Sequence, residues 1–175
     1  MTRTKLTVAI LSATLLVSVP ASAANLYETL KADPQFSTLV SMIDANGVKF
    51  RYTDNSPRTV FAPTNDALAA QPGGVDDMVH PENDSVKQNA QALLLYQIVS
   101  GRFTPESLAG KVTEMTTLQR GKVQIDGTKT PIHFGGSFGA NVSGPAITAD
   151  NGVIIPIDRL PIPVFEDETP HGDTN

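Results

Sequence analysis

The chain has 175 residues, a formal net charge of −5 and no cysteine. That length suits one domain with a sizeable core, and the lack of cysteine excludes disulfides, thiol catalysis and cysteine-ligated metal. An acidic chain without a basic run has little to offer a phosphate backbone, so nucleic acid is not expected among its partners.

Met1-Thr-Arg-Thr-Lys5 is a charged start, Leu6 to Val19 is apolar, and Pro20-Ala-Ser-Ala23 ends in small residues. This order is that of a secretory signal peptide, assigned to residues 1–23. The apolar run contains Ser12, Thr14 and Ser18 and falls short of the roughly 20 residues that span a bilayer. The expectation is a secreted protein, periplasmic or extracellular, that is not an integral membrane protein. Without cysteine it also lacks the attachment point of a bacterial lipoprotein.

From Ala24 onward Leu26, Leu30, Phe36, Leu39, Val40 and Ile43 recur at three- and four-residue steps, with Pro34 as a break. This spacing predicts two short helices ending near Asn46-Gly47. Thr59 to Ala62 reads as a buried strand. Pro63-Thr-Asn-Asp66 follows it with side-chain oxygens suited to starting a helix, which runs over Ala67 to Ala70 and stops at Gln71-Pro-Gly-Gly74. The longest helix is expected from Ser85 to Val99, with Val86, Ala90, Leu93, Leu94 and Gln97 on its inner face. A helical turn at Thr104 to Leu108 pairs a Thr cap with Pro in the first position.

Beyond Gly110 the period changes. Val112 to Leu118, Lys122 to Ile125, Ile132 to Phe134, Ala140 to Val142 and Val153 to Ile157 are short, β-branched and separated by turn residues, so they read as strands. Helices followed by strands indicate an α+β fold. The domain is assigned to residues 24–163, and residues 164–175 read as an acidic, disordered tail.

Three segments carry a family resemblance: Thr59-Val-Phe-Ala-Pro-Thr-Asn-Asp-Ala-Leu68, Leu93-Leu-Leu-Tyr-Gln-Ile-Val-Ser-Gly-Arg-Phe-Thr104 and Asn151-Gly-Val-Ile-Ile-Pro-Ile-Asp-Arg-Leu160. Joined by Thr116-Thr-Leu118, they resemble the fasciclin-like domain family across nearly all of the domain. The resemblance implies a wedge of two β-sheets with several short helices packed at one end. It also implies a non-catalytic adhesion or binding module acting on a protein or glycan of the envelope or extracellular matrix. Some members hold hydrophobic pigments, so a carrier of a small hydrophobic ligand, pigment or lipid, is the alternative. The family commonly has His where this chain has Gln97 and Ile155, and neither can transfer protons. Gln97 is expected as a satisfied buried amide. Ala146, within Gly144 to Thr148, replaces the acid used by animal members in integrin contact, and that function is not carried over.

Candidate structural or recognition residues are Thr64, Asn65, Asp66, Tyr96, Gln97 and Asn151, with helix capping the first explanation of the opening three. Leu93 to Leu95 reads as core before it reads as a groove. Gly135-Gly-Ser-Phe-Gly139 matches the G-x-S-x-G pattern of serine hydrolases, yet the following residues cannot form the required helix and Ser137 has no credible base. A glycine-rich hairpin is expected there. His80, His133 and His171 lack ligand spacing, and Asp76, Asp77, Glu82 and Asp84 lack a calcium-loop pattern. No catalytic residue, metal or cofactor is expected. Asn83 and Asn141 begin N-glycosylation acceptor patterns, which count only where the cell has the machinery.

Overall fold

The computed structural model describes residues 24–162, Ser137 excepted. The assigned signal peptide, the tail, Ser137 and His171 therefore lie outside the described residues.

The chain opens with α1 (Leu26–Ala32), a 3₁₀ turn (Pro34–Phe36), α2 (Ser37–Ala45) and the four-residue α3 (Phe50–Thr53). The strand β1 (Arg58–Pro63) runs straight into α4 (Asn65–Ala69). After α5 (Asp76–Val79) comes the longest helix, α6 (Asp84–Tyr96), then β2 (Ile98–Ser100) and α7 (Pro105–Leu108). The strands β3 (Val112–Thr116), β4 (Lys122–Asp126), β5 (His133–Phe134), β6 (Ala140–Asn141), β7 (Ile147–Ala149) and β8 (Gly152–Ile157) complete it.

They form two four-stranded sheets, one ordered β2-β1-β8-β7 and the other β3-β4-β5-β6. The parallel pair β1·β8 lies at the centre of the first sheet, in register from Arg58↔Gly152 to Pro63↔Ile157. Every residue of both strands is buried, as expected of strands covered on two faces. Alternation assigns each face to a different core. Val60, Ala62 and Ile154 join the helix-side cluster with Leu26, Phe36 and Tyr52. Phe61, Val153, Ile155 and Ile157 join Val123, Ile125 and Phe134 between the sheets.

The second sheet is covered on one side, so β4 alternates exposed and buried residues. Isolated bridges Val99↔Thr117 and Val142↔Ile157 tie the two sheets together. The α+β wedge with short helices against one sheet is the expected architecture. The boundary that differs in kind is the end of α6: the helix stops at Tyr96, and Ile98–Ser100 pairs antiparallel with β1 instead of continuing the helix to Val99. The short elements α3, α5 and β7 had no clear signal in the sequence. Among the described residues no helix is long and apolar enough to cross a membrane.

Candidate functional site

The expected recognition residues separate into structural ties and a surface edge. The Thr64 hydroxyl caps α4 by accepting from the Ala67 amide at 3.3 Å. The Asn65 side chain bridges to the preceding helical layer. Its Oδ1 accepts from the Thr38 amide at 3.0 Å, while Nδ2 donates to the Pro34 carbonyl at 2.8 Å and to Ser37 Oγ at 3.0 Å. Asp66 lies in the first turn of α4, exposed, and its side chain has no hydrogen bond or ion pair among the described residues.

Tyr96 belongs to the inter-sheet core, edge-on to Phe134 at a centroid distance of 5.9 Å. Burial pushes its phenol pKa up. Asn151 is also buried, and all its side-chain bonds are internal. Gln97 caps α6 and its carbonyl accepts from the Phe61 amide at 2.9 Å. Its side chain corrects an expectation. It is fully buried, but neither Oε1 nor Nε2 has a hydrogen-bond partner among the described residues. Helical periodicity placed it inward correctly but could not show whether a partner faced it. Leu94 is core, with Leu93 and Leu95 packed against the same cluster.

The accessible feature lies where α4, the chain after β8 and the β5–β6 hairpin meet. One cleft of ≈ 490 Å³ has a polar lining that includes Gln35, Asn65, Asp66, Ser143 and Asp158. A second, of ≈ 420 Å³, is lined by Pro72, Phe138, Arg159, Leu160 and Ile162 among others. Ala67 and Asp158 line both, so the clefts adjoin. Phe138 is 61% exposed and Ile162 48%, which gives the second cleft an apolar rim. Phe50 and Val112 are comparably exposed, and what sets Phe138 and Ile162 apart is the cleft they share.

A chain of polar contacts supports that rim. The Asp158 carboxylate accepts from the Asn141 amide at 2.7 Å and from Asn141 Nδ2 at 2.9 Å. Asn141 Oδ1 lies 3.0 Å from His133 Nδ1, and His133 Nε2 lies 3.0 Å from the Gly136 carbonyl. Asn141 thus spends its side-chain amide on internal contacts. In the sequence, Gly135 to Gly139 reads first as a serine pattern, which hides the rim. A large aromatic enclosed by glycines was the available signal.

Gly135 to Gly139 joins antiparallel β5 and β6, the expected hairpin and not a strand-to-helix elbow. Among the described residues no group of three or more His, Asp or Glu side chains could hold a metal ion.

A fasciclin domain model matches residues 34–163. The chain belongs to the fasciclin domain family. It is 33% identical over 151 residues to Protein sll1483 of Synechocystis sp., covering 81% of this chain and 75% of that one. Human periostin is 27% identical over 150 residues, spanning 85% of this chain but 17% of periostin. A solved FAS1 domain pair from the insect cell adhesion molecule fasciclin I superposes with a TM-score of 0.66. That match covers 80% of this chain and 51% of the pair at 14% identity, and shows a shared fold. On this fasciclin domain the two clefts share Ala67 and Asp158.

Proposed function

We propose that this fasciclin domain is an exported, non-catalytic adhesion or binding module acting at the cell envelope or in the extracellular matrix on a protein or glycan. The observation that carries the reading is the apolar rim of Phe138 and Ile162 beside two adjoining clefts on a packed wedge. Export is supported by the charged, apolar and small-residue order of residues 1–23. Adhesion is supported by membership of the fasciclin domain family, in which the insect cell adhesion molecule fasciclin I carries a pair of such domains. Exposed aromatic and aliphatic side chains at a cleft supply contact area, and the polar lining of the neighbouring cleft supplies orientation.

The test is attachment of producing cells to a surface. Removing the protein lowers attachment, and adding back the wild-type chain restores it. Phe138→Ser with Ile162→Ser fails to restore it while keeping the wild-type melting temperature. Attachment that persists without the protein, together with a lost enzymatic product, overturns the proposal.

A further inference from the structure

We propose that the β5–β6 hairpin tip is a proton-operated latch, closed by protonated His133 and released when the ring is neutral, which controls how Phe138 is presented. The latch stands on hydrogen-bond donors and acceptors alone. Its effect on binding rests on the docking face proposed above.

Asp158 sets the direction of the bonds that follow. An ionised carboxylate only accepts hydrogen bonds, so the Asn141 group facing Asp158 Oδ2 at 2.9 Å is the amide nitrogen. That fixes the Asn141 oxygen toward His133 Nδ1 at 3.0 Å. An amide oxygen accepts, so Nδ1 must carry hydrogen. At the other side of the ring, Nε2 lies 3.0 Å from the Gly136 carbonyl, which also only accepts. A neutral imidazole has one N–H and an imidazolium has two. Both contacts are hydrogen bonds only when the ring is charged. In the neutral ring with hydrogen on Nδ1, the Nε2 lone pair faces a carbonyl oxygen at bonding distance.

The contact that proton loss removes is a tether of the tip. Gly136 O also accepts from the Gly139 amide at 2.8 Å, so the ring and Gly139 share one acceptor. Gly139 has no room for a side chain: an added Cβ would lie 2.2 Å from the Phe134 carbonyl and 2.9 Å from His133 Nε2. Phe138 O in turn accepts from the Ile162 amide at 3.4 Å, which joins the tip to the other rim residue.

Charged groups approach the ring from the neighbouring strand and from the chain after β8. Asp126 on β4 stands opposite His133 in the strand register. The Thr128 hydroxyl bond and nearby Lys129 keep the Asp126 carboxyl below its usual range despite some burial, so it is ionised. Lys129 pairs with Asp126 at 3.3 Å and offsets part of that charge. From the chain after β8, Asp158 acts through Asn141, and Arg159 follows it. The described residues of the tip carry no charge.

The experiment is NMR of the full chain between about pH 5 and pH 8, the range in which histidine changes charge. Ring nitrogen resonances report His133, and the amides of Gly136, Phe138 and Gly139 report the tip. The expected result is one shared midpoint, with Gly139 amide exchange, corrected for intrinsic pH dependence, about tenfold faster above it. In His133→Gln the tip response disappears. A ring that titrates with no response in the three tip amides overturns the latch. Attachment is then compared at about pH 5.5 and pH 7.5 for wild type and His133→Gln. A pH-dependent tip with pH-independent attachment leaves the latch standing and counts against the docking face.

Discussion

Asn151 Oδ1 accepts the backbone amide of Leu26 at 2.8 Å across 125 positions of sequence, joining the first helical turn to the β7–β8 turn. The same side chain donates from Nδ2 to the Tyr52 carbonyl at 3.0 Å and the Asp54 carbonyl at 2.6 Å. One buried amide therefore holds α1, the end of α3 and the entry to β8 together. Asn151→Ala orphans a donor and two acceptors, at an expected cost of about 3 kcal/mol. Asn151→Asp keeps the acceptor for Leu26 but points a carboxylate at two carbonyls, so it costs at least as much. Urea unfolding of the three proteins at pH 7 checks the ranking, and an Asp variant more stable than Ala would contradict it.

Gln97 is the opposite case. Its buried amide has no partner among the described residues, so its desolvation is not repaid by a hydrogen bond. Gln97→Met preserves length and nearly preserves volume while removing the polar atoms. The expected outcome is a gain of about 1 kcal/mol, seen as a higher urea midpoint with an unchanged slope. A loss of stability would mean that the amide has a bonding partner after all.

These two residues show where the sequence was informative. Three- and four-residue spacing located α1, α2 and the inner face of α6, and Thr64 was readable as a cap because capping is local. Apolar runs with turn residues between them located β1, β4 and β8. What escaped depends on distant partners. Ile98 to Ser100 continues the apolar pattern of α6, and only its pairing with β1 makes it a strand. The triple tie of Asn65 and that of Asn151 reach residues far away in sequence. The surface face escaped for the same reason, since Phe138, Ile162 and Pro72 converge only after the wedge has formed.

Tyr52 carries a fully buried hydroxyl with no hydrogen-bond partner among the described residues. Burial pushes its phenol far above the usual value, and the opposing pull of Arg58 is weaker. A group whose folded pKa is raised contributes stability fully below its unfolded value and loses it as pH climbs toward the folded one. Tyr52 thus favours alkaline unfolding above about pH 10. Tyr52→Phe removes both the unpaired hydroxyl and the titration. Circular dichroism between about pH 9 and pH 12 should show the variant unfolding at higher pH, with equal or greater stability at pH 7. An unchanged alkaline midpoint would assign that transition to other groups.

Arg58 and Asp54 contribute to the acid limb. The Arg58 side chain is 7% exposed and pairs with Asp54 at 2.6 Å, while Asp54 is 38% exposed. Arg58 also donates to the Arg51 carbonyl. Burial raises the Asp54 carboxyl, but the Ser56 amide and the Arg58 guanidinium together outweigh it and hold the group below its usual range. A depressed folded pKa contributes stability above the unfolded value, near pH 4, and loses it as pH falls through the folded one. Because Asp54 is partly exposed, solvent screening limits the contribution to about 1 kcal/mol. Asp54→Asn should therefore be less stable than wild type at pH 7 by about that amount, and the gap should close as both are taken toward about pH 2. Thermal unfolding across that range reads the two curves directly. Curves that stay parallel would show that the difference comes from packing around the substituted amide and not from the charge on Asp54.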